Sequence, residues 1–112
     1  MHEMSIAMNI VDIAVQTARQ NGAKKINAIT VEIGALAGVV PEALEFCFEA
    51  ATRDTMAQGS KLEVIYLKAE AECSECGAKF ETDQFLNICP KCGQQVFARG
   101  GKQLQVKSIN VD

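Results

Sequence analysis

The chain has 112 residues, of which 48% are hydrophobic and 22% charged, with a formal net charge of -3. That length fits one domain with a small appendage, and the acidic balance argues against nucleic acid as a partner, because phosphate binding calls for a basic face. No apolar run approaches the roughly 20 residues that span a bilayer, since the longest candidate, IGALAGVV at 33–40, is short and holds two glycines. No basic segment followed by an apolar core stands at the start, so no secretory signal and no membrane contact are expected, and the expected location is cytoplasmic.

Residues 4–21 have the pattern of an amphipathic helix. Ile6, Ile10, Ile13 and Thr17 follow helical spacing, and Val11, Ala14 and Ala18 widen the stripe. Asn21-Gly22 supplies the stop, because glycine accepts the left-handed conformation that closes a helix. Residues 25–33 alternate Ile29, Val31 and Ile33 with Ala28, Thr30 and Glu32, the period of a strand. After GALAG, Pro41 suits a first helical turn, where its missing N–H costs nothing. Glu42 and Glu45 favour the same helix end. Leu44, Cys47, Phe48 and Ala51 then predict a buried face, in a helix reaching about Ala57 before Gln58-Gly59-Ser60 breaks it. Residues 61–71, KLEVIYLKAEA, predict a second strand with apolar residues on both parities, partly covered on both faces. A last strand is expected over 103–111.

The expected fold class is α+β: two helices packed on a small three-stranded sheet, with an inserted four-cysteine zinc-ribbon-like module. Residues 1–71 and 102–112 would form the α/β domain, and 72–101 the module before the last strand. The strands on either side of the module are expected to pair antiparallel, with the module at the tip of their connection.

Four of the five cysteines fall into a C-x2-C-x12-C-x2-C pattern at Cys73, Cys76, Cys89 and Cys92. Each pair puts two sulfurs on one tight turn. Gly77 and Gly93 follow the second cysteine of each pair, where positive φ lets the turn curl its N–H groups toward the sulfurs. In a chain with no export signal this spacing points to a metal, and four thiolates suit tetrahedral, structural Zn(II). Iron would accept the same tetrahedron. A redox pair would need only one such turn, near a helix start. The module's sizeable apolar residues are few (Phe80, Phe85, Leu86, Ile88 and Phe97), so chelation is expected to supply most of its folding free energy. Cys47 stands apart and is expected to act as a small hydrophobe on its helix.

The only histidine is His2, beside Met1. One reading is a solvated chain end. The other is a chelate: the Met1 amine, the His2 backbone nitrogen and the His2 Nδ1 close a five- and a six-membered ring about one metal ion. Such planar nitrogen ligation suits Ni(II) or Cu(II). A nitrogen or carboxylate of Glu3 could help complete the set. Met1 is expected to remain, because initiator methionine is usually removed only before a small residue.

The start MHEMSI, the stretch VEIGALAGVVPEALEF and the cysteine pattern before a final strand together resemble the HypA/HybF family, nickel metallochaperones of [NiFe]-hydrogenase maturation. The resemblance runs along essentially the whole chain. It implies Ni(II) as cargo at Met1, His2 and Glu3, and structural Zn(II) at Cys73, Cys76, Cys89 and Cys92. It implies as partners a HypB-type nickel GTPase and the [NiFe]-hydrogenase large subunit, with some relatives also serving urease through its accessory proteins. Several relatives carry an acidic residue at the position of Val40; here the nearest carboxylate in the chain is Glu42.

The competing reading is a zinc-ribbon interaction module in which His2 is idle. Against a nucleic-acid role stands the scatter of Lys79, Lys91, Arg99 and Lys102 among acidic residues. No enzyme is expected, because no nucleophile–base pattern is present.

Overall fold

A computed structural model describes residues 3–112; Met1 and His2 lie outside the described residues. The fold is α+β, and its elements in chain order are helix α1 (Glu3–Gln20), strand β1 (Ile26–Gly34), helix α2 (Pro41–Thr52), and strands β2 (Lys61–Leu67), β3 (Ala69–Glu72), β4 (Lys79–Thr82), β5 (Leu86–Ile88), β6 (Gln95–Arg99) and β7 (Leu104–Val111). Two sheets result, one ordered β2-β1-β7 and the other β4-β3-β6-β5. No helix among the described residues is long and apolar enough to cross a membrane.

Contacts divide the chain into two compact units. One comprises residues 1–32, 39–65 and 105–112, and the other 33–38 and 66–104. In the first, α1 packs against α2. The buried face of α1 is Ile6, Ala7, Ile10, Val11, Ala14, Val15 and Ala18. This corrects the expected stripe by a fraction of a turn: Ile13 is 51% exposed, and Thr17 also faces solvent. The reason is side-chain size. Ala7, Ala14 and Ala18 are fully buried, and such small residues allow the close approach of a neighbouring element that a row of isoleucines would prevent. The helix closes as expected. The Gly22 N–H bonds the Arg19 carbonyl and the Ala23 N–H the Ala18 carbonyl, with Gly22 at φ 73°, a glycine-dependent cap.

Helix α2 stops at Thr52, earlier than the expected Ala57. Arg53 leaves the helical region at ψ 135°, and Asp54 takes a left-handed φ of 62°. The Gln58 side-chain oxygen accepts the Asp54 N–H, and the Thr55 hydroxyl accepts the Ala57 N–H, so local side chains replace the helical ladder. Leu44 and Phe48 are buried as expected, whereas Cys47 and Ala51 are only partly covered.

β1 is the central strand of its sheet. Ile26, Ile29, Val31 and Ile33 are buried, and the intervening Ala28, Thr30 and Glu32 are half-covered, matching the alternation. Backbone bonds from Asp112 to Lys25 and from Gly34 to Gln103 tie opposite ends of β1 and β7, so these two strands run antiparallel. Two expectations are overturned here. The segment 61–71 is not one strand: it breaks at Lys68 into β2 and β3, which join different sheets. The strands 61–67 and 104–111 do not pair with each other, because β1 lies between them. The apolar residues of β2 are partly buried at best, as befits an edge strand.

In the second unit β3 pairs antiparallel with both β4 and β6, and β6 pairs antiparallel with β5. Its buried cluster is small: Ala71, Cys73, Cys89 and Val96, with Ala78 and Phe80 packed against it. Two glycines hold the backbone turn beside β3. Gly101 has φ 69°, and a Cβ there would sit 2.7 Å from the Ala69 Cβ. A Cβ on Gly34 would run into the Gly101 carbonyl.

Candidate metal centre

Each cysteine pair sits on a short backbone loop, and the two loops are built alike. In the first, the Cys73 N–H donates to the Ala78 carbonyl at 2.8 Å and the Gly77 N–H returns to the Cys73 carbonyl at 2.8 Å. In the second, the Cys89 N–H donates to the Gln94 carbonyl at 2.7 Å and the Gly93 N–H returns to the Cys89 carbonyl at 3.0 Å. Gly77 at φ 76° and Gly93 at φ 79° close the two loops, a conformation that costs a side-chain-bearing residue dearly. β3 enters the first loop and β6 leaves the second, so the sheet fixes their facing.

The consequence is that all four sulfurs meet. The ligand atoms of Cys73, Cys76, Cys89 and Cys92 lie within 4.8 Å of one another. Across the two loops, Cys73 Sγ is 3.5 Å from Cys92 Sγ, and Cys76 Sγ is 3.6 Å from Cys89 Sγ. The first cysteine of each pair is buried and the second exposed. None forms a disulfide.

The electrostatics of the cluster are uneven. Backbone N–H groups of Cys92 and Lys91 stabilise the Cys89 thiolate and lower its pKa to about 6, against desolvation, which works the other way. Cys92 moves oppositely, to about 12. The Gln94 N–H pulls it down, but the sulfurs of Cys73, Cys76 and Cys89, together with desolvation, push it further up. Four sulfurs this close cannot all carry negative charge unless a cation joins them. Among the described residues no other group of three or more His, Cys, Asp or Glu side chains is gathered in this way.

Charges of both signs face each other across the sheet that carries the cluster. Lys79 stands opposite Glu72, and Arg99 opposite Glu70, which also faces Glu81 on its other side. On these strands the cations are each set against a carboxylate. Phe85, Leu86, Ile88 and Phe97 are all about half exposed; the rings of Phe85 and Phe97 meet at 5.3 Å. Most of the unit's large apolar side chains thus lie outside its core, whose centre is the sulfur cluster.

Of the three expected terminal residues, Met1 and His2 lie outside the described residues. Glu3 opens α1, and its carboxylate accepts a hydrogen bond from the Val40 backbone N–H at 3.2 Å. This partner was not legible in the sequence, because 37 positions separate the two residues. Cys47 is a free thiol on α2, partly buried.

The family described as "Hydrogenase/urease nickel incorporation, metallochaperone, hypA" matches residues 1–111. The chain belongs to the HypA family. It is 42% identical, over the full length of both chains, to the hydrogenase maturation factor HypA of Geobacter metallireducens and to that of Chlorobaculum parvum. In fold it is similar to the solution structure of the Ni metallochaperone HypA from Helicobacter pylori. The TM-score is 0.66 at 24% identity, with 99% of this chain and 97% of that one covered. A family of metallochaperones and maturation factors agrees with the expectation that the chain is not an enzyme.

Proposed function

We propose that this chain carries Ni(II) on its amino terminus and delivers it during maturation of [NiFe]-hydrogenase, with Zn(II) held by the four cysteines as a structural ion. The observation that carries the zinc assignment is the convergence of four thiols within 4.8 Å of one another. Zinc–sulfur bonds of about 2.3 Å in a tetrahedron put the sulfurs roughly 3.8 Å apart. The observed 3.5 and 3.6 Å separations are close to that value, so little movement is needed for chelation. All four positions of such an ion are taken by protein, which leaves none for catalysis.

The nickel assignment rests on the family and on the chemistry of Met1, His2 and Glu3. The Met1 amine, the His2 backbone nitrogen and the His2 imidazole supply three donors in one plane, and Glu3 contributes the next backbone nitrogen. Raw affinity at a nitrogen square favours Cu(II), so selectivity for Ni(II) must come from geometry, docking and metal supply. A site at a chain end, whose ligands bind only when deprotonated, is suited to release. The recipients that follow from this reading are a HypB-type GTPase and the hydrogenase large subunit, acting in the cytoplasm. Urease maturation is a second outlet suggested by the family's description.

The test compares two proteins by calorimetric titration: one beginning at Met1, the other carrying one extra residue before it. The extension removes the primary amine from the chelate, so Ni(II) binding should weaken strongly while zinc content stays at one per chain. Equal nickel affinities would sink the terminal-amine reading.

A further inference from the structure

We propose that the Val40 backbone N–H and the Glu3 carboxylate form a latch that positions the amino terminus for nickel. In this latch Glu3 is a positioning residue, and its carboxylate acts through Val40 rather than as a metal ligand. The inference rests on the reading that nickel binds at the terminus. It deepens that reading by naming what holds the terminus in place.

Glu3 is the first residue of α1, and Val40 is the N-cap residue of α2. The Val40 side chain is apolar and makes no cap hydrogen bond to its own helix. Its N–H is taken instead by Glu3 Oε2 at 3.2 Å, across a sequence gap of 37 residues. The bond therefore joins the first turns of two helices that already pack together. A carboxylate is favoured there twice, because both helix ends present positive partial charge. Val40 itself is at φ -87° and ψ 115°, extended backbone whose N–H points away from the helical ladder.

The latch matters because a chelate built from consecutive residues at a chain end must order that end before it can close. Free termini are poorly ordered unless something ties them down. Glu3 directly follows the two residues of the proposed chelate in the chain, so the bond to Val40 fixes the point from which that chelate starts. A carboxylate that held nickel directly would have to divide its oxygens between the metal and the Val40 N–H.

Three substitutions separate latch from ligand. Glu3→Gln keeps an oxygen that accepts the Val40 N–H. Glu3→Ala removes the acceptor. Val40→Pro removes only the donor and leaves the Glu3 carboxylate intact, and the observed φ of -87° lies near the value a proline ring imposes. Nickel affinity is measured by calorimetry, together with the visible absorption of the bound Ni(II), with zinc content per chain as the folding control. With the latch, Glu3→Ala and Val40→Pro each weaken Ni(II) by about fivefold to tenfold, the scale of one exposed charge-assisted hydrogen bond. The double variant is no weaker than either single one, Glu3→Gln binds close to the parent, and the Ni(II) spectrum keeps its form throughout. If Glu3→Gln loses as much as Glu3→Ala while Val40→Pro binds as the parent does, the carboxylate is a ligand and the latch is overturned.

Failure of the underlying reading has its own signature. Should His2→Ala bind Ni(II) as the parent does, nickel is elsewhere, and the terminal site fails whatever Glu3 does. The latch is then judged without metal, by hydrogen exchange of the Val40 amide. Exchange that speeds up in Glu3→Ala but not in Glu3→Gln supports the tie, and exchange unchanged in both overturns it.

Discussion

Cys73 and Cys92 bring their sulfurs to 3.5 Å from two different loops, 19 residues apart in the chain. This pair and its counterpart, Cys76 with Cys89, replace the interior that the second unit otherwise lacks. Its buried cluster has Val96 and two alanine-sized neighbours but no large aliphatic side chain at its centre. A unit of this size without a substantial core depends on a staple. Cys73→Ala should therefore lose zinc and loosen residues 66–104, while α1, α2 and β1 keep their structure. Elemental analysis together with amide exchange resolves this. Full zinc occupancy in the variant would mean that the ion is not held by four thiolates.

The pH dependence of zinc binding follows from the uneven thiols. Without metal, Cys89 has its pKa lowered to about 6, so it is already a thiolate near neutrality. Cys92 keeps its proton up to about 12. Zinc binding at pH 7 must then expel the Cys92 proton but not one from Cys89. Below pH 6 the Cys89 proton must be expelled as well. Affinity thus falls as pH falls, and the fall steepens by about one further power of ten per pH unit once Cys89 is protonated. Competition with a coloured chelator across pH 5 to 8 measures the slope. An identical slope on both sides of pH 6 would contradict the assigned asymmetry.

On the proposed reading, His2→Ala should abolish tight Ni(II) binding and leave zinc at one per chain, because the proposed nickel donors and the four cysteines share no residue. Parent affinity should also weaken as pH drops, since the imidazole and the backbone nitrogen bind nickel only when deprotonated. Calorimetry in buffers of different ionisation enthalpy counts the protons released. Nickel binding that releases none would be incompatible with a deprotonated backbone nitrogen in the chelate.

How much of this was legible in the sequence depended on range. The thiol spacing is local and carries its own geometry, so the gathering of Cys73, Cys76, Cys89 and Cys92 could be read from the pattern. The alternation of β1 and the Asn21-Gly22 stop were equally local. The break at Lys68 was not, because KLEVIYLKAEA has strand propensity throughout and only the sheets decide where one strand becomes two. The orientation of α1 failed for a related reason. Periodicity allows a face centred near Ile13 as readily as one centred on Ala7, Ala14 and Ala18, and the close approach of its neighbours selects the alanines. The Glu3–Val40 bond joins residues whose types predict no partnership, since the donor is a backbone N–H that every residue but proline carries.

Gly34 and Gly101 offer the last test, and it concerns packing that no local pattern encodes. Gly101 sits at φ 69° with Ala69 so near that a Cβ would lie 2.7 Å from its methyl carbon. Gly101→Ala therefore combines a left-handed backbone with an overlap and should destabilise the second unit by about 2–4 kcal/mol. Gly34→Ala should act on the same spot, because its Cβ would strike the Gly101 carbonyl, whose oxygen also accepts the Leu36 N–H at 2.6 Å. The two effects should be less than additive, since either substitution alone forces the same backbone to shift. Gly22 is the control: it shares a positive φ, but nothing lies within 4 Å of its added Cβ, so Gly22→Ala should cost only about 1 kcal/mol of conformational strain. Thermal unfolding followed residue by residue by NMR separates these outcomes, and a Gly101→Ala protein as stable as Gly22→Ala would show that the turn relaxes without resistance.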